Sequence, residues 1–360
     1  MFTDIDTPAA LVDLERLDRN LDRVAAYAAG HRLALRPHVK THKTPWIAAE
    51  QLRRGAAGVT CATTREAEVM AAVAGDLLVA YPPVGAARAR RVAALPHGVR
   101  VTVSLDSARA LGDIATAARA ADRPIGVYVE IDLGMGRVGT ATPEETVALA
   151  RLARDSAPLT FEGIAFYPGH IREPAAGQDA KLAATGLALA RHIEALDRAG
   201  LPPRVVSGGS TPTLARSHEI PGVTEIRPGT YVFFDRTSAE AGACTLDDCA
   251  LTVLATVVST AVAGQAVIDA GTKALGREPI RGSDAAGFGA LLDRPEITVR
   301  ALSEEHGTLD LARTSWRPEV GDRVRVVPNH VCIVVHLNDV LYGIRGDRID
   351  SSWAVAARGR

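Results

Sequence analysis

The sequence predicts an α/β chain: a (β/α)8 TIM-type barrel over residues 1–240, then an all-β domain over 241–360, with the first ~10 residues placed to join the β domain. Three observations carry this expectation. β-Branched apolar runs alternate with Ala-, Leu- and Arg-rich stretches from about residue 10 to about residue 235. Eight strand candidates recur at roughly 25–35-residue spacing, which suits a closed barrel better than a short open sheet. A doubly wound sheet is the alternative on alternation alone. After about residue 240, strand patterns follow one another with turn residues between them and few helix patterns interrupt.

The elements read in order. LERLDRNLDRVAAYAAG places Leu14, Leu17, Leu21, Val24 and Ala25 at helical spacing, with Gly30 as its stop. The strand LALRPHV follows. Thr44 can N-cap the next helix, with Pro45 at its first position. Five strand–helix pairs come next: GVTCA with TTREAEVMAAVAG, DLLVAYPP with AARARRVAAL, RVTVSL with SARALGDIATAARAA, PIGVYVEIDL with PEETVALARLARDS, and LTFEGIAFY with AGQDAKLAATGLALARHIEALDRAG. RVVSGG and TEIRPGTYVFFD complete the series. In the second region CALTVLATVVSTAVAGQAVIDAG, ITVRALSEEHGTLDL, DRVRVVPNHVCIVVHL and DVLYGIRGDRI read as strands. The absence of a low-complexity linker implies packed domains.

Composition excludes several function classes. Of the 360 residues, 47% are hydrophobic and 23% charged, and the net charge of −1 offers no general field for nucleic acid or an acidic membrane. The longest apolar run, LTVLATVVSTAVAG, falls short of the ~20 residues that a membrane span needs. The start, MFTDIDTPAALVDLERLDRN, lacks a basic segment followed by an apolar one, so a cytoplasmic location is expected. Cys61, Cys244, Cys249 and Cys332 form no CxxC pair, which favours free thiols or one metal ligand over a disulfide framework.

RPHVKTHK (36–43) concentrates chemistry at a strand-to-helix junction. In an extended segment Ala34, Arg36, His38 and Lys40 share one side, which would line up Arg36, His38 and Lys40 near the mouth toward a ligand, while Lys43 lies next to the cap and is expected in solvent. A lysine at a barrel mouth can form a Schiff base once its pKa is lowered. A solvated basic turn is the other reading. Further strand ends collect complementary groups. IDLGMGRVG sets three glycines around Arg137, and FYPGHIR offers Tyr167 and His170. SGGSTPT (207–213) brings Gly209, Ser210 and Thr211, whose amides and hydroxyls suit a phosphate; IRPGTY adds Arg227, Gly229 and Tyr231. Singly each is only a turn. Together a lysine, a phosphate cradle and ring contacts suit pyridoxal phosphate.

On these motifs the chain resembles the fold-type III pyridoxal-phosphate enzymes, the alanine racemase superfamily. RPHVK is similar to that family's strand ending in the Schiff-base lysine, which selects Lys40 over Lys43 and places His38 beside it. The resemblance implies a contact from Arg137 to the phenolic oxygen of the cofactor and from Arg227 and Gly229 near its pyridine nitrogen and phosphate. It also puts Ser210 in the phosphate loop. RPHVKTHK, FYPGH, SGGSTPT and PNHVC resemble most closely the D-threonine aldolase and D-serine dehydratase branch.

PNHVC also has a reading of its own. His330 and Cys332 stand at i and i+2, so in a strand they project to one side, and imidazole with thiolate suits Zn2+. The resemblance makes this pair the divalent-metal site, Zn2+ or Mn2+, with His170 as a catalytic helper. It implies a homodimeric lyase acting on a D-3-hydroxy amino acid, with no nucleic-acid or membrane partner. Dehydration is favoured, because dehydratase members carry His-x-Cys whereas aldolase members carry a carboxylate at the second position. Retro-aldol cleavage to glycine and an aldehyde is the alternative, amino-acid racemisation the third, and a non-catalytic cofactor carrier the last. Cys244, Cys249 and the ARARR run (87–91) read as free thiols and a solvated helix face.

Overall fold

The computed structural model describes residue 2 and residues 4–280 and 286–359. The chain divides into two compact units. One comprises Asp22–Lys40, Pro45–Gly229 and Ala357–Arg360; the other comprises Met1–Leu21, Thr41–Thr44 and Thr230–Ala356.

The chain begins with β1 (Ala9–Asp13) and α1 (Leu14–Gly30), then runs β2 (Ala34–Leu35), α2 (Pro45–Arg53), β3 (Val59–Cys61), α3 (Thr64–Met70), β4 (Asp76–Val79) and α4 (Ala86–Ala93). It continues with β5 (Arg100–Leu105), α5 (Ala108–Ala120), β6 (Ile125–Glu130), α6 (Pro143–Asp155), β7 (Leu159–Ala165), α7 (Asp179–Arg198), β8 (Val205–Gly208) and β9 (Glu225–Ile226). Local chemistry explains the starts. Thr63 and Ser107 accept from the third backbone N–H of α3 and α5, and Thr142 with Glu145 forms a reciprocal capping box before Pro143 opens α6.

Strands β2 to β9 form one parallel sheet in the order β2-β9-β8-β7-β6-β5-β4-β3. The expected strand LALRPHV is regular for only two residues, because Pro37 has no N–H to give to a ladder. Its extension still does a strand's work. Arg36 N and His38 N donate to Ile226 O and Pro228 O at 2.9 and 3.0 Å, and on the other side Val39 N and Thr60 N exchange bonds with Thr60 O and Pro37 O at 2.9 and 2.8 Å. That last pair joins the two edges and closes the barrel. The helices pack small residues against the strands: Ala110, Leu111, Ile114 and Ala118 of α5 and Val103, Val127 and Ile164 of the sheet are all buried in one core.

The second unit adds α8 (Arg236–Glu240), β10 (Leu251–Ser259), β11 (Gln265–Ile268), α9 (Thr272–Leu275), β12 (Gly289–Leu291), β13 (Val299–Leu302), β14 (Gly307–Asp310), β15 (Arg323–Pro328), α10 (Val331–Leu337), β16 (Val340–Arg345) and β17 (Arg348–Ala354). Its nine-stranded sheet runs β13-β14-β11-β10-β1-β16-β17, with β15 paired to β10 and β12. β1 lies antiparallel to β10 and parallel to β16. One reading is corrected here. DRVRVVPNHVCIVVHL is not a single strand: β15 stops at Pro328, and VCIVVHL is helical, burying Val331, Val334 and Val335 at i, i+3 and i+4. Short apolar β-branched runs satisfy either pattern, and burial decides.

Gly163 in β7 tests the tightness of the barrel wall. A Cβ there would lie 1.9 Å from Val205 O, across the β7–β8 ladder. Gly163→Ala is expected to lower unfolding free energy by about 1–3 kcal/mol or more, measured by denaturant titration; an unchanged midpoint would contradict this packing.

Candidate active site

In the barrel unit, three segments at the C-terminal ends of strands bring expected residues together. Lys40 is exposed, one residue beyond the buried Val39, and its Nζ lies 5.9 Å from the centroid of the Tyr167 ring. The Arg137 guanidinium carbon lies 4.9 Å from the same ring. Gly169 packs so closely on that ring that a Cβ would sit 2.1 Å from Tyr167 Cε1. Lys40, Arg137 and Tyr167 thus converge from three different strands. His38 is partly buried next to them, its Nδ1 3.5 Å from Lys40 N.

The loop carrying Arg137 is organised by Asp132, a residue that motif reading passed over. Its carboxylate accepts from the amides of Gly134, Met135 and Gly136 at 2.8–3.1 Å. Gly139 has φ +115°, and a Cβ there would lie 2.4 Å from the Ile131 carbonyl carbon, so the loop returns on its strand only with glycine. His170 packs against Gly134, and its buried Nδ1 has no hydrogen-bond partner among the described residues.

The late loops hold the remaining candidates. Gly209 has φ +83°, and Ser210 N and Oγ meet Thr213 Oγ1 at 3.2 and 3.0 Å. Thr213 extends the expected Ser210–Thr211 hydroxyl set. Arg227 is buried, donating to Ser207 Oγ and to Phe166 O at 3.0 Å; Gly229 is buried at the end of this unit. Tyr231 belongs to the other unit, where its side chain is buried in a short 3-10 turn. Two expectations about RPHVKTHK change. Lys43 is buried with φ +54° rather than solvent-facing, and Arg36 gives its guanidinium to Glu225 and Asp76, at 2.7 Å each, rather than to a ligand. His42 is fully buried, with Nδ1 accepting from Thr44 N at 3.2 Å.

In the β-domain unit, His330 and Cys332 sit on the corner between β15 and α10. His330 is the extended N-cap residue and Cys332 lies in the first helical turn, so backbone direction change, not strand alternation, brings them together. His330 Nδ1 lies 2.9 Å from Asp235 Oδ2, and Asp235 is 1% exposed and also caps α8 through Ser238. The neighbouring Cys332 thiolate, opposed by burial and aided by Asp235, lifts the imidazole pKa to about 11. Thr41 Oγ1 lies 3.3 Å from Cys332 Sγ. Among the described residues no group of three or more His, Cys, Asp or Glu side chains is arranged to hold a metal. The pair offers two donors of suitable chemistry, with a carboxylate fixing the tautomer of the imidazole. Cys244 and Cys249 are free thiols.

Comparison with known proteins gives this geometry a context. Residues 12–237 match the alanine racemase N-terminal domain, and residues 250–344 match a putative serine dehydratase domain. The first match covers more than half of the chain. The chain belongs to the fold-type III pyridoxal-phosphate family, with the alanine racemase fold. It is 32% identical to a D-threonine aldolase of Arthrobacter sp, covering 99% of this chain and 93% of that protein. It is 35% identical to the D-threo-3-hydroxyaspartate dehydratase of Delftia sp. (strain HT23), covering 91% of each. The crystal structure of D-threonine aldolase from Filomicrobium marinum superposes with a TM-score of 0.91 at 33% identity, over 99% of this chain and 96% of that one. A cysteine-to-alanine mutant of D-threo-3-hydroxyaspartate dehydratase, in the metal-free form, superposes with a TM-score of 0.87 at 32% identity, over 97% of both chains. This family member is a pyridoxal-phosphate-dependent lyase.

The residues present fit that cofactor. An accessible lysine, a hydroxyl- and glycine-lined turn, a buried guanidinium with donors to spare and an unpartnered imidazole nitrogen are the parts that such a ligand requires. Burial pushes the His170 pKa below 6.5, with Lys181 adding to the fall and Asp132 and Glu173 opposing it. The imidazole is therefore neutral at pH 7. As pH falls below 6.5 the unfolded chain binds a proton that the native site resists, so this histidine's contribution turns destabilising on the acid side. NMR titration is expected to place the His170 midpoint below the ~6.5 of exposed imidazoles; a midpoint above that value is the contrary result.

Proposed function

We propose that the protein is a pyridoxal-phosphate- and divalent-metal-dependent lyase acting on D-3-hydroxy amino acids, with dehydration and deamination as its reaction. D-serine, D-threonine and D-threo-3-hydroxyaspartate define the substrate class. The observation that carries the reading is the His330–Cys332 pair with Asp235 on the imidazole Nδ1. The His-x-Cys pattern is the one that resemblance ties to dehydratases. The close superposition on a D-threonine aldolase favours retro-aldol cleavage as the second reading. The metal would be Zn2+ or Mn2+. The assembly would be a homodimer and the location cytoplasmic; no helix among the described residues is long and apolar enough to cross a membrane.

Each chain residue has a role in this reading. Lys40 would hold pyridoxal phosphate through Nζ, with the Gly209–Ser210–Thr211 turn at the phosphate, Arg137 at the phenolic oxygen, Arg227 and Gly229 near the ring nitrogen, and His38 and Tyr167 shaping the surroundings. Bound there, the cofactor supplies an electron sink for the substrate Cα, and a divalent ion supplies a Lewis acid for the β-hydroxyl. With Asp235 accepting a hydrogen bond from His330 Nδ1–H, Nε2, once deprotonated, would be one ligand atom and Cys332 Sγ the second. Lys40 Nζ, at the mouth of the barrel, would also be the base at the substrate Cα. His170, held neutral by burial, can accept a proton, which the cleavage route needs from the β-hydroxyl.

Two measurements test the assignment. With D-threonine, 2-oxobutanoate and ammonia are expected; acetaldehyde and glycine would select aldol cleavage, and neither set from D-threonine or D-serine would overturn the substrate class. Borohydride treatment of the holoenzyme followed by peptide mapping is expected to leave the cofactor on Lys40. A label on Lys43 would reverse the lysine assignment.

A further inference from the structure

The barrel interior holds charge that the reading above does not use. Arg36, 6% exposed, places Nε 2.7 Å from Glu225 Oε2 and Nη1 2.7 Å from Asp76 Oδ1. The other oxygen of Glu225 accepts from Ser207 Oγ at 2.6 Å, and Ser207 is completely buried. Ser207 Oγ in turn accepts from Arg227 Nη1, while Nη2 donates to Phe166 O at 3.0 Å. An unbroken hydrogen-bonded chain therefore runs Asp76–Arg36–Glu225–Ser207–Arg227, from β4 through β9 and β8 to the loop after β9.

We propose that Arg36, Glu225 and Ser207 are positioning residues that aim the Arg227 guanidinium at the cofactor ring. The proposal rests on the reading of Arg227 as a cofactor contact.

The direction of each link is forced. Guanidinium groups only donate, and an ionised carboxylate only accepts. Glu225 accepts from Arg36 on Oε2 and from Ser207 on Oε1, so the single Ser207 proton goes to Glu225. The Ser207 lone pairs then face Arg227, and they can do nothing but accept from it. Among the described residues neither acceptor of Arg227 carries charge, so its nearest partners leave its cation un-neutralised and most of its five N–H groups available. A carboxylate in direct contact would hold the guanidinium just as firmly, but would cancel the charge presented to a ligand. Interposing one hydroxyl fixes the orientation and keeps the polarity. The chain is also a buried network in which every link is satisfied, the condition under which such networks rigidify a site.

The test uses the holoenzyme. Ser207→Ala removes the central link. It is expected to weaken pyridoxal phosphate binding about tenfold or more and to shift the pH midpoint of the cofactor absorbance band. Ser207→Thr, which keeps the hydroxyl, is expected to restore both toward wild type, and thermal midpoints of the cofactor-free proteins separate loss of folding from loss of aim. Wild-type affinity and an unshifted band in Ser207→Ala would overturn the relay while leaving the cofactor reading intact. So would a Ser207→Thr protein that departs as far as Ser207→Ala. A wild-type protein that gains no absorbance band with pyridoxal phosphate would overturn the cofactor reading, and the relay with it.

Discussion

The two hydrogen bonds that Thr60 exchanges with Pro37 and Val39 hold this barrel together as a barrel. Together with Ala57 N donating to Leu35 O at 2.8 Å, they join β2 and β3, which would otherwise be the free edges of an open sheet with unpaired backbone groups. Because Pro37 can only accept, the segment cannot be a regular central strand. It pairs with β9 through Arg36 and His38 and with β3 through Pro37 and Val39. Val39 is consequently locked at zero exposure, and the next residue, Lys40, leaves the wall at the mouth. Barrel closure and delivery of the lysine are one event in the chain. A perturbation of the 36–39 segment therefore reaches both stability and the site, at the ~1–3 kcal/mol that each buried polar group left unsatisfied costs.

The β-domain corner follows a related economy. Asp235 serves α8 with one oxygen, through the amide and hydroxyl of Ser238, and orients His330 and the Val331 amide with the other. It is thus an N-cap and a histidine partner at once, and its near-complete burial makes the arrangement rigid. β15 stops at Pro328, and the extended His330 is followed by the first turn of α10, which carries Cys332, so the two side chains meet at a corner rather than along a strand.

Much of this was legible in the amino-acid sequence, for physical reasons that differ between features. The eight barrel strands appear in the expected order because parallel strands buried on both faces leave dense β-branched runs, and helices such as α1 leave the period of Leu14, Leu17 and Leu21. Lys40, Arg137 and Tyr167 were readable because chemistry in a barrel gathers at strand ends. What escaped depends on backbone torsions or on distant partners. Nothing in HVKTHK shows that Lys43 adopts a left-handed φ and is buried. Asp132 looked like an ordinary loop acid until three amides turned toward it, and Asp235 is 95 residues from the histidine it orients. Arg36 seemed to point at a ligand because alternation alone counts faces, whereas its two carboxylates come from β4 and β9. The VCIVV run misled because β-branched residues favour strands, while tertiary burial at helical spacing prevailed.

The Asp132 loop has a consequence for how a ligand could arrive. Its three amides are satisfied from within, and Gly139 seats it against its own strand. The conformational entropy of the segment, ~1–2 kcal/mol for each residue fixed, is therefore surrendered when the chain folds rather than when a ligand binds. A loop ordered by an incoming phosphate or ring would draw that cost from the ligand's affinity and slow its capture. This loop is ordered by Asp132 before any ligand arrives, so association there should resemble docking to a rigid surface more than closure of a mobile flap.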